Sequence, residues 1–446
     1  MSTQIEQQPE ADVTGVGAAY REALISGRHR AAVWGIGYIG ASTVLALADN
    51  RIRTCGYDTD QLQVTRLAAG ITSAAVELTD DVTVPLGDDV LVHFVAVPTE
   101  RQAEPWLDAL ADVIGRLARA TKPGRDQPPL VIIESTLTPG TTTDVLLPVI
   151  EAAGLVPDKD FLLALAPRRD WLTDSDKNLR ELDRVFGGVG PNSAEAAHGV
   201  LSILCRRLHR ASSHVEGELV KCVENAYRHV IITMANQLTL AYPQVDLAEV
   251  LRLAATKWNV QLIHPSFGTG GYCVPLSSRY LLQGAHHHAD KLSLLSAAVD
   301  TDNRMRRIVA NAVAWQGPVA VFGVAYKGGI KVATLSPTIE IAARLRELGV
   351  PHSIHDPLYT PEEIERITGS PAMPDPETAL ATAGTALVVT DHDAFLDPRF
   401  VGLLTAARDA PLFVLDNYGL LEDTQWPAHV RYRRAGNAGW LAGAPR

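Results

Sequence analysis

Cysteine is scarce in this chain: there are four among 446 residues, Cys55, Cys205, Cys222 and Cys273, in no CxxC pair and at no metal-ligand spacing. That argues against a disulfide framework and for a reducing compartment, so any cysteine of importance acts alone. Basic charge is also short. Lys+Arg number 40 against 51 Asp+Glu, a net charge of −11, and no basic stripe offsets it, so nucleic acid is not an expected partner. No uninterrupted apolar run approaches the ~18 residues of a membrane span. The N-terminus, MSTQIEQQPEADVTG, is polar and acidic where a signal peptide needs a basic start and an apolar core. The expected location is cytoplasmic, with no membrane partner.

What the chain does have is ordinary globular composition, 46% hydrophobic and 20% charged. At roughly 150 residues per domain its length predicts two or three domains. Apolar runs at 31–34 (AAVW), 53–57, 90–98 (VLVHFVAVP) and 129–135 (PLVIIES) alternate with helical periodicity such as WLDALADVIGRLARA. Fully apolar strands between amphipathic helices predict a parallel sheet covered on both faces, which FLLALAP (161–167) and RVFGGV (184–189) extend to about residue 190. From about 214 to 255 the periodicity is helical throughout. Strands resume at 319–322, 352–355, 385–391 and 411–416, with a helix at 337–348, and the Gly/Ala-rich end RRAGNAGWLAGAPR is expected to fray. The fold class is therefore α/β, two doubly wound Rossmann-like domains joined by a long central helix. The expected segments are a polar leader 1–28, a dinucleotide domain 29–205, a central helical segment 206–310 and a second α/β domain 311–446.

Gly35, Gly37 and Gly40 form G-x-G-x-x-G directly after a strand and at the start of a helix, where a diphosphate can sit against free N–H groups. Asp58 closes the next strand, in position for the adenosine ribose hydroxyls, and neighbouring Thr59 and Asp60 offer no arginine for a 2′-phosphate. NAD is thus the expected cofactor. Cys273 lies in the glycine-dense loop FGTGGYCVP, which can present a side chain to a ligand, although a lone cysteine is more often a small buried hydrophobe. Lys221 and Asn225, four residues apart, share a helical face and can converge on one oxygen, or equally form a solvated surface. Thr136 follows a strand's C-terminal end, either as a ligand contact or as a turn former. His286–His288 reads as a solvated run, since three adjacent histidines cannot all face one ion.

Together these pieces resemble the UDP-glucose/GDP-mannose (nucleotide-sugar) dehydrogenase family. The resemblance runs from about residue 31 to about 420 through VWGIGYIG, VAVPTE, IESTLTPGTT, LVKCVENAYRHVIITMANQL, FGTGGYCVP, GVAYKGG with SPTIEIAARL, HDP and TDHDAF. It implies two hydride transfers from C6 of a nucleotide sugar to NAD, with Cys273 as thiohemiacetal and thioester nucleophile, Lys221 and Asn225 as oxyanion stabilisers and Thr136 near the hydrolytic water. It places the cofactor at Gly35, Gly37, Tyr38, Ile39, Gly40, Asp58, Pro98, Thr99, Ser135 and Thr136. It places the substrate at Lys221, Asn225, Phe267, Gly268, Gly270, Gly271, Arg168 and Lys327, in a homodimer built on the central helix.

The match departs in the substrate pocket. Ser277 stands where the family carries the Asp of Cys-x-x-x-Asp, and Arg168 where it carries a Glu after Pro. Asn259 and Thr334 replace two arginines, and the stretch from Glu77 to Val90 is short; Arg168, Arg169 and Lys331 are available as substitutes. Without the carboxylates, activation of the hydrolytic water is in question. Arg168 is expected to add positive charge beside the substrate. Three functions compete: a four-electron nucleotide-sugar dehydrogenase serving polysaccharide or antibiotic biosynthesis, a two-electron alcohol dehydrogenase acting on an unusual substrate, and a non-catalytic nucleotide-binding paralogue. The retained Cys, Lys and Asn weigh against the last.

Overall fold

The computed structural model describes residues 13, 15–102, 104–169, 178–407 and 410–442. The chain forms two units, Met1–Cys222 with Gln283–Ala285, and Val223–Leu282 with His286–Arg446. Residues 206–310 contribute to both, and the boundary falls inside one continuous helix, His214–Ala241.

The first unit holds an eight-stranded sheet. In spatial order its strands are Leu208–Arg210, Arg184–Gly188, Leu162–Leu165, Leu130–Ile133, Val90–Val95, Arg30–Trp34, Thr54–Tyr57 and Val76–Thr79. From Leu162–Leu165 to Val76–Thr79 every pairing is parallel. Successive side chains point to opposite faces, so Ala31 and Val33 enter one apolar cluster while Ala32 and Trp34 enter the other. This two-sided burial is why these strands read as unbroken apolar runs. The sheet does reach residue 188, but Arg184–Gly188 pairs antiparallel to Leu162–Leu165, contrary to the all-parallel expectation. A parallel neighbour needs a crossover over the sheet face, usually helical, and the connection 166–183 contains no helix among its described residues.

The leader is only partly polar. Gly15–Ile25 is a helix whose Tyr20, Ala23 and Leu24 join the core with Ala196, Ala197 and Val200 of the helix Pro191–Leu204. Residues 1–12 lie outside the described residues.

The second unit holds a five-stranded, fully parallel sheet in the order His352–His355, Val319–Phe322, Thr385–Val388, Leu412–Asp416 and Val430–Arg434. Val319 and Val321 face one apolar cluster, Ala320 and Phe322 the other. The expectation of a frayed end is overturned as far as residue 442: Trp440 is buried and stacks on Phe267 with ring centroids 5.9 Å apart. An aromatic ring of that size gains more from burial than the flanking glycines lose in chain entropy. Residues 443–446 lie outside the described residues. Among the described residues no helix is long and apolar enough to cross a membrane.

Candidate active site

The glycine turn is built by close approach. Gly35 has φ +79°, and a Cβ on Gly40 would fall 1.8 Å from the Gly35 carbonyl oxygen, so neither position admits a side chain. A Cβ on Gly37 would instead meet nothing within 4 Å. Gly37 is also the N-cap of the helix Tyr38–Asp49 and makes no side-chain capping bond, at the helix end whose positive pole favours an anion. Tyr38 is exposed and Ile39 half-buried at the helix start. Asp58 Oδ2 accepts from the Ile36 N–H at 2.9 Å and Oδ1 from the Asp60 N–H at 3.0 Å, which fixes the carboxylate beside the turn. An open glycine face, a helix N-terminus and a neighbouring carboxylate fit a dinucleotide diphosphate and its ribose.

The adjoining strand ends are tied together. Thr99 Oγ1 donates to the Thr136 carbonyl at 2.7 Å, and Ser135 Oγ donates to the Val97 carbonyl at 2.6 Å, so both hydroxyls are engaged by backbone; Pro98 between them is exposed. Beneath lies a buried ionic cluster that sequence reasoning missed. Glu134 Oε2 accepts from Thr43 Oγ1 at 2.5 Å and Oε1 from Arg184 at 2.5 Å. Arg168 is part of it. Its guanidinium donates to Thr43 Oγ1 at 2.6 Å and to Ser42 Oγ at 2.7 Å, and stands 3.6 Å from Glu134 with the side chain 3% exposed. The expectation that Arg168 faces the substrate is therefore corrected. A buried guanidinium has five donors to satisfy, and the carboxylate and hydroxyls of its own unit draw it inward.

The long helix is pinned to the Thr138–Thr142 turn by another residue that went unnoticed. Glu218, buried, accepts from the Gly140 N–H at 2.7 Å, the Thr142 N–H at 2.9 Å and Thr142 Oγ1 at 2.7 Å. Next to Lys221, Cys222 Sγ donates to the Leu137 carbonyl at 3.3 Å. Burial pushes the Cys222 thiol up to about 12. These anchors bring Lys221 and Thr136 into one cleft, lined also by Ser135, Leu165, Pro167 and Gly217.

In the second unit, Cys273 directly precedes the helix Val274–Gly284 and is exposed, whereas Cys55, Cys205 and Cys222 are buried. The loop before it is held low. The Gly271 N–H donates to the Thr334 carbonyl at 2.8 Å, and a Cβ on Gly270 would fall 2.8 Å from that of Tyr326. Gly268, at φ +123°, passes close to Arg306. Asn225 Nδ2 donates to Ser277 Oγ at 3.1 Å, and Ser277 Oγ donates to the Cys273 carbonyl at 2.7 Å. One turn on, His229 Nδ1 pairs with Ser278 Oγ at 2.9 Å. Phe267, expected among the substrate contacts, is fully buried against Trp440 and serves the core; its ring is too apolar to leave that stack for solvent. Lys327 forms an ion pair with Asp391 and lies 5.7 Å from the Tyr418 ring centroid, its side chain 41% exposed. Lys331, considered as a substitute cation, is paired with Glu363 at 2.7 Å. Burial pushes the Asp356 carboxyl up, but the His392 hydrogen bond and the N–H groups of Ala325 and Val324 outweigh it and hold it below the usual range. That carboxylate anchors the loop leading to Lys327.

Residues 215–304 match the central domain of the UDP-glucose/GDP-mannose dehydrogenase family and residues 320–423 its UDP binding domain. The UDP-N-acetyl-D-mannosamine dehydrogenase of Pyrococcus horikoshii is 27% identical over 396 residues, covering 82% of this chain and 90% of the relative. The UDP-N-acetyl-D-glucosamine 6-dehydrogenase of Pseudomonas aeruginosa is 26% identical over 360 residues, covering 75% and 84%. The solved structure of the Pyrococcus horikoshii UDP-D-ManNAc dehydrogenase shares the fold with a TM-score of 0.77 at 24% identity, covering 92% of this chain and 100% of that one. A UDP-glucose dehydrogenase from Pyrobaculum islandicum does so at 0.76 and 20%, covering 92% and 98%. Over those two stretches the chain resembles the UDP-glucose/GDP-mannose dehydrogenase family, and it is a dehydrogenase acting on CH–OH groups.

Proposed function

We propose that this chain uses NAD to oxidise the C6 primary alcohol of a UDP-sugar-like substrate to the carboxylate, through a covalent adduct on Cys273. The observation that carries this reading is the hydrogen-bonded run from Asn225 through Ser277 to the backbone of Cys273, the exposed thiol of the chain. Gly35, Gly37 and Gly40 would admit the cofactor diphosphate, with Asp58 on the ribose and Tyr38, Ile39 and Pro98 around it. The chemistry that bound NAD would supply is hydride acceptance at C6, by one molecule as the alcohol becomes the aldehyde and by a second as the Cys273 thiohemiacetal becomes the thioester. The Cys273 thiolate adds to the C6 aldehyde, forming a C–S bond as the carbonyl electron pair moves to oxygen. The Lys221 ammonium and the Asn225 amide stabilise that oxyanion, more strongly in a dry site than in water. Thr136, in the cleft with Lys221, holds the water that releases the acid from the thioester and returns the thiol. Lys327 and the glycine loop 268–271 receive the nucleotide portion. On the long helix, exposed Val215, Leu219, Val223 and Tyr227 recur every fourth residue, an apolar stripe that supports a homodimer. Unpaired thiols support a reducing, cytoplasmic setting.

A second reading has its own support. Ser277 is a neutral hydroxyl where a carboxylate would help activate water, which favours a reaction that stops after two electrons. The inward turn of Arg168 removes the argument for an extra anionic group on the substrate. Both readings are separated by incubating the enzyme with NAD and a panel of UDP-sugars while measuring NADH per mole of product. Two NADH per uronate support the four-electron route, one NADH per aldehyde the shorter route, and no NADH with any UDP-sugar rejects a UDP-sugar substrate on either route.

A further inference from the structure

Side-chain amides carry an ambiguity that their surroundings must resolve: oxygen and nitrogen occupy nearly the same volume, and only hydrogen-bond partners decide which way the group faces. Asn225 is resolved by a serine. The Ser277 hydroxyl has a single hydrogen, and it is donated to the Cys273 carbonyl at 2.7 Å. What Ser277 presents to Asn225 is therefore lone pairs alone, which pair only with the NH2 edge of the carboxamide, at 3.1 Å. We propose that Ser277 is a positioning residue, which fixes the Asn225 carboxamide with its nitrogen toward the cysteine helix so that the second N–H is held ready for the oxyanion at Cys273. The inference rests on the catalytic reading of Cys273 and Asn225 given above.

Burial makes the arrangement binding. Ser277 is 1% exposed, so water cannot take its place if the hydroxyl is removed. Without it the amide has two orientations of similar energy, and only one offers a donor. The neighbouring rung keeps the helix itself in place: His229 Nδ1 pairs with Ser278 Oγ at 2.9 Å, with both residues buried. Loss of the Ser277 hydroxyl should thus free the amide without unseating the helix.

The test is a double-mutant cycle on kcat and KM with the substrate identified by the panel above. Ser277→Ala should lower kcat by about tenfold or more while the KM values for NAD and UDP-sugar stay within about twofold. Asn225→Ala should do likewise, and Ser277→Ala should cost nothing further in the Asn225→Ala background. If Ser277→Ala does not fold, Ser277→Thr and Ser277→Val, matched in volume, replace it: the threonine should exceed the valine in kcat by about tenfold. Wild-type kcat in Ser277→Ala, equal kcat in the Thr and Val variants, or losses that add in full to Asn225→Ala would overturn the inference while leaving the proposed function standing. A wild-type enzyme that forms no NADH with any UDP-sugar overturns the function, and the inference with it.

Discussion

Replacing the sulfur of Cys273 with oxygen keeps the shape of the side chain and removes a good nucleophile. Cys273→Ser is expected to abolish carboxylate formation and to leave at most slow two-electron oxidation, read as NADH produced without acid on chromatography. Unimpaired acid formation by that variant would dismiss the covalent route. Asp58→Ala should raise the KM for NAD by about 10- to 160-fold, on the order of 1.5–3 kcal/mol for a charged acceptor. It also frees the Ile36 N–H, so the glycine turn should loosen. An unaltered NAD affinity, measured by titration calorimetry, would make Asp58 a turn residue only. Residues of this kind are legible in a sequence because chemistry restricts them to one or two types at fixed local spacing. Glu134, Arg184 and Glu218 were not legible. Their partners lie far along the chain, 91 residues from Thr43 to Glu134, 50 from Glu134 to Arg184 and 76 from Thr142 to Glu218, and no local pattern announces such a pairing.

At the scale of elements, the central strands were readable, and among the edge strands only His352–His355 was. Val76–Thr79 (VELT) and Val430–Arg434 (VRYRR) are the outermost strands of their sheets, half-buried and rich in polar side chains, so they lack the apolar run that marks a strand covered on both faces. The same two-sided burial imposes a cost where a titratable group falls inside a central strand. His93 sits in Val90–Val95, accepts from Trp34 Nε1 at 3.3 Å through Nδ1, and is pushed down by burial from 6.5 to about 3. Its folded pKa is depressed, so the unfolded chain takes up the proton first. Stability from this group is complete above pH 6.5 and declines as pH falls from there toward 3. At pH 4.5 the loss should be about 2–3 kcal/mol relative to pH 7.5. Urea unfolding of wild type and His93→Gln at both pH values checks this: the variant should show a shallower acid decline. Parallel slopes would mean that His93 does not contribute to it.

Across the whole molecule, the alternation of strands and helices made two α/β units legible, because each parallel sheet needs helical crossovers on both faces. The antiparallel return at Arg184–Gly188 was not, since a strand's direction is set by its connection and not by its own residues. The distribution of thiols has a practical consequence in labelling stoichiometry. Cys55 and Cys222 are sealed in apolar surroundings that push both thiols up to about 12, Cys205 is buried and raised as well, and Cys273 stands in solvent. A thiol-specific chromogenic reagent near neutral pH should therefore count one fast sulfhydryl per native chain and all four once the chain is unfolded. Activity should fall in proportion to the first equivalent incorporated, and peptide mapping should find the label on Cys273. Two fast thiols, or label without loss of activity, would show that the reagent reads something other than the reactive centre. Under the expected outcome, a colour change becomes a titrant for the concentration of competent active sites in any preparation of this protein.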